Sequence, residues 1–247
     1  MRRFGLIGKT LKHSFSKKYF TEKFTNEGIT NCQYDLFELE NISEIEDLLK
    51  SHEDSLVGLN VTIPYKKLVI PYLDEIDVHA QSIGAVNTIQ IHPDGRLIGH
   101  NTDYFGFIQA LKNDWVLEGK SALVLGTGGA SEAVKAALTN LGIPYLVVSR
   151  ESGENRLSYQ ELSASDTLAG HQLVINTTPL GTFPQVDKKP DLPYEQLTAD
   201  HLLFDLVYNP EITAFMQAGL DKRAKVKNGY QMLVGQAEAA WEIWNTN

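Results

Sequence analysis

The chain has 247 residues, 43% of them hydrophobic and 21% charged, the proportions of an ordinary globular protein with length for one large domain or two modest ones. With 31 acidic and 22 basic residues the net charge is −9, which argues against any nonspecific hold on nucleic acid. The single cysteine, Cys32, excludes an intrachain disulfide, no cysteine and histidine spacing suits zinc, and no metal is expected. The apolar run at residues 4–7 is too short for a signal peptide, and no stretch approaches the roughly 18 apolar residues of a membrane span. The expectation is an untargeted protein of the cytoplasm.

The first hundred residues alternate short apolar runs with amphipathic stretches, the rhythm of βαβ units. Residues 4–7 are predicted as a strand, 16–28 as a helix ended by Gly28, 33–39 as a strand, 43–52 as a helix and 57–62 as a third strand. Pro64 then breaks the ladder and is expected to open a helix through Lys67, Leu68 and Ile70. That places Lys66 just past the carboxyl end of a strand, where open α/β sheets bind ligands. Residues 86–92 and 96–101 flank the turn signal Pro93-Asp94-Gly95 and read as a hairpin, followed by a helix over 104–112. A second α/β unit begins near Lys120: a buried strand at 121–125, a turn at 126–129, a helix at 130–141 closed by Gly142, and a strand at 145–149. This is the pattern of a mononucleotide-binding βαβ. Residues 150–170, rich in Ser, Glu and Gly, read as surface. Apolar runs at 173–176 and 202–207 extend the sheet. The last helix, 230–245, carries Met232, Leu233, Ala237, Ala240, Trp241 and Trp244 at helical spacing, as a helix packed on a core would.

The segment Gly126-Thr127-Gly128-Gly129-Ala130 lies between a strand and a helix, where backbone N–H groups and a helix amino end hold a pyrophosphate. Ser131 stands where a third glycine is usual, so a plain tight turn is the competing reading. At the end of the next strand an acidic residue would suit the ribose hydroxyl of NAD and an arginine the 2′-phosphate of NADP; here the residues are Ser149-Arg150, with Glu151 adjacent and Arg156 as a second cation. A lysine after a strand is ordinarily solvated, and Asp103 alone would serve as a cap for the helix beginning at Tyr104. Jointly they fit the oxidation of a secondary alcohol, which needs a proton carrier at the oxygen. Burial would lower the lysine pKa and a carboxylate partner would raise it. His13-Ser14-Phe15-Ser16 follows the first strand; its hydroxyls suit a carboxylate, or Ser16 caps a helix. Thr62, Asn87 and Gln236 suit a polyhydroxylated substrate, or are satisfied polar groups of the interior.

The ordered series His13-Ser14-Phe15-Ser16, Asn60-Val61-Thr62-Ile63-Pro64-Tyr65-Lys66, Gly84-Ala85-Val86-Asn87-Thr88, Gly99-His100-Asn101-Thr102-Asp103, Gly126-Thr127-Gly128-Gly129-Ala130, Asp205-Leu206-Val207-Tyr208-Asn209-Pro210, and Gly229 with Met232-Leu233-Val234-Gly235-Gln236 resembles the shikimate dehydrogenase family over nearly the whole chain. The resemblance implies an α/β protein with an amino-terminal substrate domain, residues 1–103, onto which the carboxy-terminal helix 230–247 packs back. A Rossmann-type NADP-binding domain, residues 104–229, would face it across a cleft. It implies NADPH-linked reduction of 3-dehydroshikimate to shikimate, with Lys66 as acid/base and Asp103 as its partner. Ser14 and Ser16 would hold the substrate carboxylate, with Thr62, Asn87, Asp103 and Gln236 around the ring hydroxyls and Tyr208 near substrate. Gly126, Gly128, Gly129, Ala130, Ser149, Arg150, Leu206 and Gly229 would bind the cofactor. The implied partners are a small-molecule substrate and neither nucleic acid nor membrane, in a monomer or homodimer. A relative that takes quinate with NAD, and a non-catalytic nucleotide-binding relative, are the alternatives. The chain departs from the family in Ser149-Arg150-Glu151 where Asn-Arg-Thr is usual, in Asn176-Thr177-Thr178-Pro179-Leu180-Gly181-Thr182, and in Asn228 before Gly229.

Overall fold

In the computed structural model of the chain, residues 1–12, 14–112, 115–116 and 118–246 are described. They form two compact units, one of Met1–Thr102 with Ala237–Asn247 and the other of Asp103–Gln236.

The first unit opens with β1 (Arg2–Gly8) and α1 (Phe15–Asn26). Gly28 ends this helix in the left-handed region at φ 67°, and the Ile29 N–H reaches back to the Phe24 carbonyl at 2.8 Å, a glycine-dependent helix stop. Next come β2 (Cys32–Glu38), a 3-10 turn at Ile42–Glu44, α2 (Ile45–Ser51) and β3 (Leu56–Val61). The unit continues with a 3-10 turn at Ile70–Tyr72, β4 (Glu75–Ile76), α3 (Val78–Ile83), β5 (Thr88–Ile91) and β6 (Leu97–His100). The strands lie in the order β2-β1-β3-β5-β6-β4. β1 is parallel to β2 and β3, whereas β3, β5 and β6 pair antiparallel. Strand alternation sends side chains to two cores. Ile7, Leu59, Val61 and Ile89 pack with Ile45 of α2 on one face. Phe4, Leu6 and Tyr34 pack with Phe20 and Phe24 of α1 on the other.

The second unit holds α4 (Thr102–Lys112) from Asp103 onward, then β7 (Ala122–Leu125), α5 (Gly129–Asn140), β8 (Tyr145–Ser149), β9 (Arg156–Ser158) and α6 (Tyr159–Ser163). β10 (Leu173–Asn176), β11 (Leu202–Asp205), α7 (Ala214–Leu220) and β12 (Lys225–Lys227) complete its sheet. The order is β12-β11-β10-β7-β8-β9, and every pair is parallel. This is a doubly wound sheet whose strand order reverses between β7 and β10, the place where such folds bind dinucleotides. Buried Leu123, Leu125, Val148, Val174, Leu203 and Phe215 form its core.

The last helix, α8 (Tyr230–Asn245), contributes residues to both units. Within the second, Gly106 of α4 and Gly235 of α8 pass in contact: a Cβ on Gly106 would meet the Met232 carbonyl. Within the first, the Trp244 indole lies against Gly58 and donates to the Ile89 carbonyl at 3.0 Å. No helix among the described residues is long and apolar enough to cross a membrane, and no cluster of three or more His, Cys, Asp or Glu among them would hold a metal ion.

Three local expectations are corrected. No α-helix follows Pro64: residues 63–69 are turns that lead into the 3-10 turn at Ile70–Tyr72, and the Lys66 carbonyl accepts the Val86 N–H at 2.8 Å in place of a helical partner. Asp103 is not a cap, since α4 already begins at Thr102 and Asp103 lies in its first turn, where a carboxylate favours the helix dipole. The stretch 150–170 is not merely surface, because it holds β9 and α6, the latter capped by Ser158 and Glu161 in a reciprocal pair.

Candidate active site

In the first unit the polar residues collect where β1, β3 and β6 end. Ser14 is the N-cap of α1, and its hydroxyl is buried with no hydrogen-bond partner among the described residues. A buried orphan hydroxyl is costly unless a ligand uses it. His13 of the same motif lies outside the described residues. Thr62 follows β3, with its N–H on the Ile7 carbonyl at 2.9 Å. Lys66 is half-buried in the turn beyond it, its backbone tied to Val86.

Asn87 is the best-anchored member of the group, at 3% exposure. Its backbone N–H bonds the His100 carbonyl at 3.0 Å and its carbonyl accepts the Val61 N–H at 2.8 Å. Its Oδ1 accepts from the Thr102 N–H at 2.7 Å and from the Thr102 and Thr88 hydroxyls, each at 3.2 Å. Asn101 Nδ2 donates to the Ala85 carbonyl at 2.8 Å. These bonds clamp the chain leading into α4, so that Asp103, 8% exposed, follows a fixed Thr102. His100 also meets Asp77, Nδ1 to Oδ2 at 2.9 Å. Burial pushes the Asp77 carboxyl up, but the His100 bond and the N–H groups of Ala80 and His79 together hold it below its ordinary value.

In the second unit Gly126 follows β7 at φ 108°, with its N–H on the Val148 carbonyl at 2.8 Å. A Cβ there would lie 2.9 Å from Thr177 Oγ1. Gly128 is the N-cap of α5, with open space where its Cβ would be, and Gly129 and Ala130 form the first turn. Ser131 takes the place of a third glycine without loss: wholly buried, its hydroxyl turns back to the Gly128 carbonyl at 2.9 Å. After β8, the Ser149 hydroxyl donates to the Glu151 carbonyl at 2.7 Å and Arg150 is exposed. Arg156 Nε is buried without a partner among the described residues.

Beyond β11, Asp205 is wholly buried. It accepts from Asn176 Nδ2 at 2.9 Å, from the Val207 N–H at 3.0 Å and from the Thr213 hydroxyl at 2.6 Å. Burial pushes its pKa up to about 6 against these three donors. The bonds order the segment carrying Leu206 and Tyr208. Gly229 donates to the Val207 carbonyl at 3.2 Å and lies so close to Leu206 that a Cβ would overlap its carbonyl. Tyr208, whose phenol burial pushes up, lines a cavity of about 470 Å³ with Lys227, Asn228 and Tyr230. Gln236, 7% exposed, donates to the Leu233 carbonyl at 2.9 Å.

Residues 6–89 match the shikimate dehydrogenase substrate binding domain. A relative from Clostridium beijerinckii, named shikimate dehydrogenase (NADP(+)), is 40% identical over 254 residues, which cover 99% of this chain and 92% of the relative. The chain belongs to the shikimate dehydrogenase family. A solved family member, the shikimate 5-dehydrogenase of Thermus thermophilus in complex with NADP(H) and shikimate, superposes with a TM-score of 0.85 at 30% identity, covering 99% of this chain and 94% of that one. The quinate dehydrogenase of Corynebacterium glutamicum in complex with NAD superposes at 0.87 with 26% identity, covering 99% and 93%.

The buried network around Asn87 is absent from the site residues picked out by sequence. Asn60, Thr88 and Thr102 stand inside quoted motifs, but Tyr34 sits in an alternating strand where a tyrosine reads as core. Only an unpaired phenol in that core would have been a signal, because a buried Tyr hydroxyl requires a partner.

Proposed function

We propose that the protein catalyses the reversible NADPH-dependent reduction of 3-dehydroshikimate to shikimate, in the shikimate pathway of aromatic amino-acid biosynthesis. The fold alone serves many chemistries; the observation that carries the reading is the full-length identity to a relative named for this activity and cofactor. In this reading residues 1–103, with the carboxy-terminal helix 230–247, bind substrate, and residues 104–229 bind the dinucleotide. The protein acts on its small-molecule substrate in the cytoplasm as a monomer or homodimer, with no nucleic-acid or membrane partner.

NADPH, when bound, supplies the hydride. The residues of the second unit fit that cofactor. Gly128 at the amino end of α5 has open space where a Cβ would be, that helix end offers N–H donors to a phosphate, and the orphaned Arg156 Nε and the exposed Arg150 are cations suited to a 2′-phosphate. Leu206 and Gly229 would flank the nicotinamide, and Ser149 the ribose. Lys66 gives a proton to the carbonyl oxygen during reduction and takes it back during oxidation. Asp103 accepts from the same hydroxyl and supports the lysine charge. Ser14 and Ser16 hold the carboxylate, while Thr62, Asn87, Tyr208 and Gln236 orient the ring.

Initial rates with shikimate or quinate, each with NADP or NAD, test the proposal. Shikimate with NADP is expected to exceed every other pair by at least about tenfold in kcat/KM, the size of discrimination a few polar contacts supply. A preference for quinate with NAD would overturn it in favour of the chemistry that the Corynebacterium relative is named for.

A further inference from the structure

The chain departs from its family in the segment 176–182, and Thr177 of that segment meets the glycine turn directly. β7 and β10 pair in parallel, with Leu125 opposite Asn176 as the last pair of the register. Past that pair the Thr177 N–H donates to the Leu125 carbonyl at 3.0 Å, and the Thr177 hydroxyl donates to the same carbonyl at 2.7 Å. The other end of the Leu125–Gly126 peptide is held too, since the Gly126 N–H donates to the Val148 carbonyl of β8 at 2.8 Å. A peptide unit is planar, so three bonds from the two neighbouring strands fix its plane. The turn towards Gly128 and α5 then pivots on Gly126 at φ 108°.

Thr177 is itself held from both sides. The Asn176 carbonyl, in the same peptide as the Thr177 N–H, accepts the Leu206 N–H at 3.0 Å. Asn176 Oδ1 accepts from the Thr178 N–H at 3.0 Å and from the Thr178 hydroxyl at 2.6 Å, while its Nδ2 donates to Asp205 at 2.9 Å. One peptide therefore joins Leu206, proposed to flank the nicotinamide, to Leu125 at the entry of the glycine turn.

We propose that Thr177 is a positioning residue for the cofactor: its hydroxyl locks the Leu125–Gly126 peptide, and with it the direction in which the glycine turn presents its N–H groups to the pyrophosphate. The proposal rests on the reading of residues 126–130 as the phosphate site. The Thr177 proton goes to the Leu125 carbonyl, so the hydroxyl has none left for a phosphate and acts only through the turn. Holding a site in its bound conformation lowers the ordering cost of binding. Removing the hydroxyl leaves the Leu125 carbonyl its bond from the Thr177 N–H, so no buried acceptor is orphaned and the sheet keeps its pairing.

Thr177→Ala removes the hydroxyl and Thr177→Ser keeps it, and both only delete atoms. Calorimetric titration of the full chain with NADP is expected to give a dissociation constant about fivefold higher in Thr177→Ala, the effect of one net hydrogen bond. Thr177→Ser should stay within about twofold of the unaltered protein on the same scale. 2′-AMP carries the adenosine and its 2′-phosphate but no pyrophosphate, so its affinity is expected to be the same in all three proteins. With saturating NADP and shikimate, kcat should stay within about twofold, the loss being confined to KM for NADP. Unchanged NADP affinity in Thr177→Ala, an equal loss in Thr177→Ser, or an equal loss for 2′-AMP overturns the role of Thr177. Gly126→Ala, titrated alongside, separates that failure from failure of the phosphate site. Weaker NADP binding in Gly126→Ala alone leaves the site standing without Thr177, whereas unchanged binding in both variants removes the site itself.

Discussion

Asp205 shows how one buried carboxyl sets both a local geometry and a pH dependence. Its three donors join the end of β10, the segment after β11 and the N-cap Thr213 of α7. Burial outweighs them and pushes the pKa up to about 6, from an ordinary value of 3.8. A carboxyl whose pKa is higher folded than unfolded contributes stability in full below the unfolded value and loses it as pH rises through the folded one. The loss falls between about pH 4 and 6 and is on the order of 3 kcal/mol at about 1.4 kcal/mol per pKa unit. Asp77 has the opposite sign, because its folded pKa is held down; it contributes above the ordinary carboxylate range and loses its contribution as pH falls below it. Asp205→Asn should therefore cancel the drift specific to Asp205. Thermal melts across pH 4 to 7 should show the melting temperature of the variant gaining on the unaltered protein up to about pH 6 and holding level beyond. A difference independent of pH would contradict this account.

Among elements, the glycines mark places where backbone or side chain comes closest. Gly58 of β3 lies under the Trp244 indole, which also packs on Phe4 at 4.9 Å and bonds the Ile89 carbonyl. Gly58→Ala drives a methyl into that ring and should cost about 1–3 kcal/mol, read as a lower urea midpoint with an unchanged slope. Gly126 combines φ 108° with a Cβ site 2.9 Å from Thr177 Oγ1. Gly126→Ala should weaken NADP binding by about tenfold or more, since a bound pyrophosphate needs this backbone undisplaced; titration of bound NADP by fluorescence checks it.

Those elements also show what could be read in advance. β8 and β10 are continuous apolar runs and α8 is periodic over 16 residues, and their bounds match the expectation residue for residue. The short pieces β4, α3, β9, α6, α7 and β12 are not expected from the sequence, because they have neither a continuous apolar run nor the length to show a period. The helix expected after Pro64 failed for a tertiary reason, the bond from Val86 to the Lys66 carbonyl, which no local pattern contains. Ser14 and Asn87 were legible as polar residues past strand ends. That Ser14 is orphaned, that Asn87 is clamped by Thr102, and that Tyr34 reaches Asn60 depend on strands far apart in the chain.

At the scale of the whole molecule, two sheets of different character are built from one chain. A mixed sheet carries the polar residues of the proposed substrate site, and an all-parallel doubly wound sheet carries the glycine turn. Family membership rests on the full length, with the shikimate dehydrogenase relatives matched through both. The net charge of −9 leaves anionic substrate and cofactor to be captured by local donors, which is how Ser14, Lys66, Arg150 and Arg156 enter the account. In the proposed reaction Lys66 carries the proton. Lys66→Ala, assayed for shikimate-dependent NADP reduction alongside shikimate binding by calorimetry, should lower kcat by about 10²–10⁴-fold, the range of general acid–base catalysis, while the dissociation constant for shikimate changes little. Near-normal turnover in Lys66→Ala would contradict the account.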